Sequence, residues 1–200
     1  VAVTQPECTL TPDTFMVSCP WNDTLSLATG SWPTGLYVAR LESADGYAIA
    51  PFVVRSANAA GTTLFKFGIL SLTAYNQFGS HNAYLGPDRD TARKSTVTSM
   101  DRPLDAWGLK TFKEFEYSVA KAVDRNLPNA SWATDVDVHS GAISLAGVRS
   151  IVTSGHDEYW TVPERNAVEL ALASGTNLFI TGANSIYWRV RLQDSATGPN

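Results

Sequence analysis

The sequence predicts an α/β fold: a parallel sheet with flanking helices, preceded by a small antiparallel, sandwich-like β segment. Three observations lead to it. Residues 1–58 hold short apolar runs punctuated by Gly, Pro, Asp and Asn, with no helical pattern between them. Residues 59–200 alternate short apolar runs with longer stretches of helical periodicity, the order expected when parallel strands are joined by crossover helices. An apolar fraction of 44% over 200 residues is enough to bury a sizeable core.

The elements follow in order. In the first segment the strands are Phe15 to Ser18, Leu36 to Leu41 and Ala48 to Arg55, with Asp45-Gly46 as the turn of a hairpin. The small, polar stretch Ser56 to Gly61 marks the boundary. Leu64 to Leu70 opens the second domain as an apolar strand. Thr111 caps a long helix whose Phe112, Phe115, Val119 and Val123 share one face. Asn129 to Val138 and Val148 to Thr153 read as strands. Pro163 to Ala173 is a helix with Pro near its start and Gly175 beyond its end, and Asn177 to Thr181 is the last strand. There is no internal repeat and no low-complexity tract.

Charge and composition exclude some functions. A formal net charge of −4, with Arg189 and Arg191 the nearest approach to a basic cluster, argues against a nucleic-acid partner. No apolar run approaches the roughly 20 residues that span a bilayer, so no membrane segment is expected. The chain begins at Val1 without a basic-then-apolar leader, which predicts a processed start. Cys8 and Cys19 have neither metal-ligand nor redox spacing and predict a disulfide closing a short loop, the alternative being two buried thiols in a cytosolic protein. A disulfide implies a secreted or extracytoplasmic chain, in which Asn22-Asp23-Thr24 and Asn129-Ala130-Ser131 would be glycan acceptors in a eukaryotic secretory pathway.

Ligands of open α/β sheets bind at the carboxyl ends of the strands, so the loops there carry the most weight. Ser154-Gly155-His156-Asp157-Glu158-Tyr159-Trp160 is such a loop. In an extended chain His156 and Glu158 point one way and Asp157 the other, an arrangement suited to an acid/base pair or a metal ligand. The competing reading is that His156 and Asp157 hydrogen-bond the loop while Tyr159 and Trp160 pack on the core. Thr73-Ala74-Tyr75-Asn76 and Thr181-Gly182-Ala183-Asn184 follow two other strands. Taken alone, Tyr37 and Tyr75 read as core or rim aromatics and Asn184 as a cap or turn residue. His81 and His139 read as solvated loop residues. A Gly-x-Ser-x-Gly elbow, a cysteine at a strand-to-helix turn and a Gly-rich phosphate loop are all missing, which leaves no side-chain nucleophile of those kinds.

Several segments together resemble one family: Trp32-Pro33-Thr34-Gly35-Leu36-Tyr37-Val38-Ala39-Arg40-Leu41, Thr73-Ala74-Tyr75-Asn76, Asp101-Arg102-Pro103-Leu104, Gly155 to Trp160, and Gly182 to Val190. Their order and spacing, over Trp32 to Leu192, are similar to the catalytic region of the large (beta) subunit of N,N-dimethylformamidase. The resemblance implies an amidotransferase-like α/β layer and an amidohydrolase of small, linear, formamide-type amides. It also implies one mononuclear iron (Fe3+) held by Tyr37, Tyr75 and Glu158, with His156 and Asn184 beside the substrate. Phenolate and carboxylate are hard anionic donors of the kind ferric iron takes.

Three features depart from the family. Leu72-Thr73 stands where it usually has a Trp-Gln pair, its domain runs on past Tyr187-Trp188-Arg189, and the cysteine loop has no counterpart in the matched segments. The domain is therefore expected to be incomplete at its carboxyl end. The alternative function is a non-catalytic extracellular module binding carbohydrate or protein, with Trp21, Trp32 and Trp107 as stacking residues. A homo-oligomer and a small partner subunit both stay open.

Overall fold

The structure, a computed structural model, describes residues 4–44 and 46–195. Two compact units are present. One comprises the described residues up to Ser31, Leu72–Lys110 and those from Leu192 on; the other comprises Trp32–Ser71 and Thr111–Arg191.

In the first unit β1 (Thr9–Thr11) and β2 (Met16–Ser18) pair antiparallel, and a Cys8–Cys19 disulfide closes the pair next to Thr9 and Ser18. The predicted cystine is therefore present. Arg102 ties this unit together, donating to the carbonyls of Thr73, Phe78, His81 and Ser99. Burial lowers its guanidinium to about 10.

The second unit opens with a hairpin, β3 (Gly35–Ser43) and β4 (Gly46–Val54), in which Ser43 faces Gly46. The hairpin read from the sequence is thus formed, although Asp45 of its turn lies outside the described residues. Then comes β5 (Thr63–Phe67); α1 (Ile69–Tyr75) passes into the first unit at Leu72, and α2 (Ala106–Thr111) belongs to that unit up to Lys110; the second unit resumes with a π-helical turn (Phe112–Glu116), α3 (Tyr117–Asn126), β6 (Ser131–Thr134) and α4 (Asp135–Ser140). They are followed by β7 (Ser150–Thr153), β8 (Tyr159–Thr161), α5 (Val162–Ala173), β9 (Asn177–Phe179) and β10 (Trp188–Val190).

β6, β5, β7 and β9 form a four-stranded parallel sheet in that order. The chain steps outward from β5 to β6, then crosses back over β5 to β7 and on to β9. The winding therefore reverses between β5 and β7, which makes their carboxyl ends the switch point where such sheets open a crevice. Strand alternation builds two faces. Leu64, Ala133 and Ile151 join Val138 of α4 and Val168 and Ala171 of α5 in the main core. Phe65 and Phe67 turn the other way, Phe67 meeting Phe112 edge-on at 6.1 Å.

Several elements differ from the sequence reading, each for a local reason. The strand expected over Leu64 to Leu70 stops at Phe67, because Ile69 opens α1 and the Leu70 N–H donates to buried Asp135 Oδ2 at 2.9 Å. Tyr75 is consequently the last residue of a helix rather than part of a loop. The strand expected over Asn129 to Val138 is confined to Ser131–Thr134, since Thr134 and Asp137 form a capping box that starts α4. Thr111 does not cap the long helix; it lies within helical backbone (φ −54°, ψ −49°) that began at Ala106. The wider π turn also moves Phe115 off the buried stripe, which runs through Phe112, Glu116, Ala120 and Val123.

Candidate active site

The loop from Ser154 to Glu158 follows β7 and is tied to the end of β5 at the switch point. Ser154 N–H donates to the Lys66 carbonyl at 3.0 Å, and Gly68 N–H donates to Ser154 Oγ at 2.9 Å. Gly155 passes so close to the Phe115 carbonyl that a Cβ there would overlap it, and Gly182 meets the Gly155 carbonyl in the same way. Both positions need glycine for close backbone approach.

His156 and Glu158 meet on one side of this loop. His156 Nε2 lies 3.1 Å from Glu158 Oε2, and the two residues retain only 8% and 3% of their surface. The imidazole stacks on the Phe115 ring at 4.9 Å and 27°, so the π turn that exposes Phe115 also shapes the site. Ser71 Oγ accepts the N–H groups of Glu158 and Tyr159 at 2.8 and 3.2 Å.

Asp157 points the opposite way into a buried charge cluster. Lys66 Nζ lies 2.6 Å from Asp157 Oδ2 and 2.7 Å from Glu164 Oε1, and 4.4 Å from the Trp160 ring centre. Burial drives the Lys66 ammonium downward, but Asp157, Glu164 and Asp135 together outweigh it and hold the group above the usual lysine range. Burial raises the carboxyls of Asp157 and Glu164, opposed by Lys66. Burial, reinforced by the nearby Glu164 charge, raises Asp135 further. The cluster anchors the middle residue of the loop and so presents its two neighbours on the other side.

Asn184 belongs to a turn laid along the same loop. Ile186 N–H donates to the Asp157 carbonyl at 3.0 Å, Tyr187 and Trp188 donate to the Glu158 carbonyl, and β10 then pairs parallel with β8. Asn184 itself is exposed, with a left-handed backbone (φ 56°) that asparagine tolerates better than most residues. The structure thus joins the His156–Glu158 pair to the turn carrying Asn184, while Tyr159 and Trp160 are packed in the core.

The two tyrosines are held by local partners. Tyr37 on β3 donates its hydroxyl to the Pro33 carbonyl at 2.8 Å, with its ring beside Trp32 and Phe52. Tyr75, in the first unit, stacks on Tyr84 at 4.7 Å. The following residue, Asn76, donates to the Pro103 carbonyl and accepts from Asp105 N–H, linking the Thr73–Asn76 and Asp101–Leu104 segments. The remaining histidines are not solvated loop residues. His81 is buried, with Nδ1 2.8 Å from the Arg93 carbonyl and its ring on Phe15, and His139 lies in α4 with Nδ1 2.8 Å from Thr161 Oγ1.

Sequence reasoning passed over Lys66, Glu116, Asp135 and Glu164. Signals for three of them were present: a lone lysine between Phe65 and Phe67 in an apolar strand, a glutamate on the buried stripe of a helix, and a Thr-x-x-Glu capping pattern at Thr161.

The family described as N,N-dimethylformamidase beta subunit-like, C-terminal, matches residues 1–200. The chain belongs to that family. The match is wider than the Trp32 to Leu192 span read from the motifs and takes in the amino-terminal cysteine loop. No curated protein matches the chain.

Proposed function

We propose that this chain supplies the catalytic loop of a hydrolase acting on small formamide-type amides, with His156 moving the proton. The observation that carries this reading is the buried His156–Glu158 pair at the switch point of the sheet, in a chain of the N,N-dimethylformamidase beta subunit-like family. With Nε2 facing the Glu158 carboxylate, Nδ1 serves as the basic nitrogen of the neutral ring. That nitrogen takes a proton from the attacking water and returns it to the departing amine, so that amide and water give carboxylic acid and amine. Glu158 orients the imidazole and steadies its charged form. Asn184, on the turn bonded to this loop, orients the amide carbonyl and donates to the oxygen as negative charge develops.

The donor set proposed for iron is Tyr37, Tyr75 and Glu158. Among the described residues no three His, Cys, Asp or Glu side chains group as a metal site. Tyr37 and Tyr75 would supply phenol oxygens and Glu158 a carboxylate, hard donors of the kind ferric iron takes. Bound iron would polarise the amide carbonyl and lower the pKa of a water. The protein loaded with Fe3+ is expected to show visible tyrosinate absorption, lost in Tyr75→Phe, and to hydrolyse a dialkylformamide. Iron-free, colourless protein after loading sinks the metal proposal, and metal-loaded protein without amide turnover sinks the catalytic one.

The second reading, a binding module for carbohydrate or protein in an extracytoplasmic setting, has its own observation. Trp21, Trp32 and Trp107 are all exposed, and Trp32 lines a groove of about 570 Å³ with Thr34, Arg55, Asn58 and Asn129, at the amino ends of β5 and β6. Saccharide binding abolished by Trp32→Ala, in protein without amidase activity, would favour it.

A further inference from the structure

Glu116 has no part in the reaction described above, yet its environment is hard to explain as packing alone. It lies at the end of the π-helical turn with 1% of its surface exposed. Oε1 accepts the backbone N–H of His156 at 3.2 Å, and Oε2 is buried without a hydrogen-bond donor. A buried carboxylate oxygen with no donor is costly, and apolar side chains fill the rest of the stripe at Phe112, Ala120 and Val123. The turn that carries Glu116 also presses the Phe115 ring on the imidazole and the Phe115 carbonyl on Gly155. Three successive features of one helical turn therefore bear on the same loop.

We propose that Glu116 is a positioning residue for His156, holding its backbone through Oε1 and changing that hold when the carboxyl gains or loses a proton. This rests on the reading of His156 as the proton carrier, and it concerns a residue outside the proposed metal ligands. A neutral carboxyl accepts one weak hydrogen bond from the His156 N–H, whereas a carboxylate accepts a charge-assisted one about twice as strong. The charged and titratable groups around it are Lys66 on β5 and Asp157 and His156 of the loop, with the Ser154 hydroxyl also nearby. Burial pushes Glu116 up to about 7, so the change of hold falls in the neutral range.

The test reads the hydrogen bond directly. In 15N-labelled wild-type protein the His156 amide proton should move downfield with one inflection near neutral pH. Glu116→Gln keeps an acceptor oxygen at the same place but cannot ionise, so the inflection should vanish while the rest of the spectrum stays dispersed. In protein active on a dialkylformamide, the same ionisation should appear in the pH profile of kcat/KM and be missing from that of Glu116→Gln. A His156 amide that stays flat from pH 5.5 to 8.5, or that titrates identically in both proteins, overturns the proposal. Wild-type protein that shows the inflection but hydrolyses no amide overturns the hydrolase reading instead and leaves Glu116 holding the loop.

Discussion

Replacing Glu116 by Gln should stabilise the protein, and only above mildly acidic pH. Burial sets the folded carboxyl at about 7, against an ordinary 4.5 in the unfolded chain. Between those values the folded state binds the extra proton, so the wild-type protein loses stability as pH rises through this window. Below about 4.5 both states are protonated and the favourable neutral form is fully retained; above about 7 the loss is complete. At 1.36 kcal/mol per pH unit the full difference is about 3 kcal/mol. Glutamine has no such term, so the substitution should be near neutral at pH 4.5 and stabilising by up to about 3 kcal/mol at pH 8. Subtracting the two proteins cancels the titration of Asp135, Asp157 and Glu164, which both share. Urea unfolding at a series of pH values measures the difference. Parallel stability curves for the two proteins would refute the reasoning, because they would mean that Glu116 titrates alike folded and unfolded.

Two further outcomes follow from the same structure. Lys66→Met removes the ammonium that bridges Asp157 and Glu164 and should cost about 3–5 kcal/mol in urea unfolding, because the carboxylates stay buried without it; a loss below about 1 kcal/mol contradicts the cluster as described. Replacing both Cys8 and Cys19 by Ser opens a loop of sequence separation 11 and should cost about 2–4 kcal/mol, seen as a variant that melts below oxidised wild type and together with reduced wild type.

What could be read in the residues was local or periodic. The alternation of apolar runs with helical patterns specifies a parallel sheet with helices, and the cystine follows from two cysteines 11 apart in a segment without metal-ligand spacing. Alternation along an extended loop was enough to place His156 and Glu158 on one side and Asp157 on the other. Boundaries were less legible where side chains compete with the ladder. Thr134 and Asp137 cap a helix inside what looks like one strand, and the Asp135 carboxylate takes the Leu70 N–H into α1 before the apolar run of another is over. The helix stripe failed at Phe115, since a π turn shifts the phase that a 3.6-residue period assumes.

By itself the sequence determined the class of fold, the opposite facing of Asp157 and its two neighbours, and the family, because strand and helix periodicity and short motifs are properties of neighbouring residues. Only the tertiary structure decided which charges lie under that loop. Lys66 meets Glu164 across 98 residues and Glu116 meets the His156 backbone across 40, and no period or spacing encodes such pairs. They exist because the winding reverses between β5 and β7, bringing the end of one strand, the turn of a helix and the start of another to a single buried point where a charge must find a partner or keep its proton.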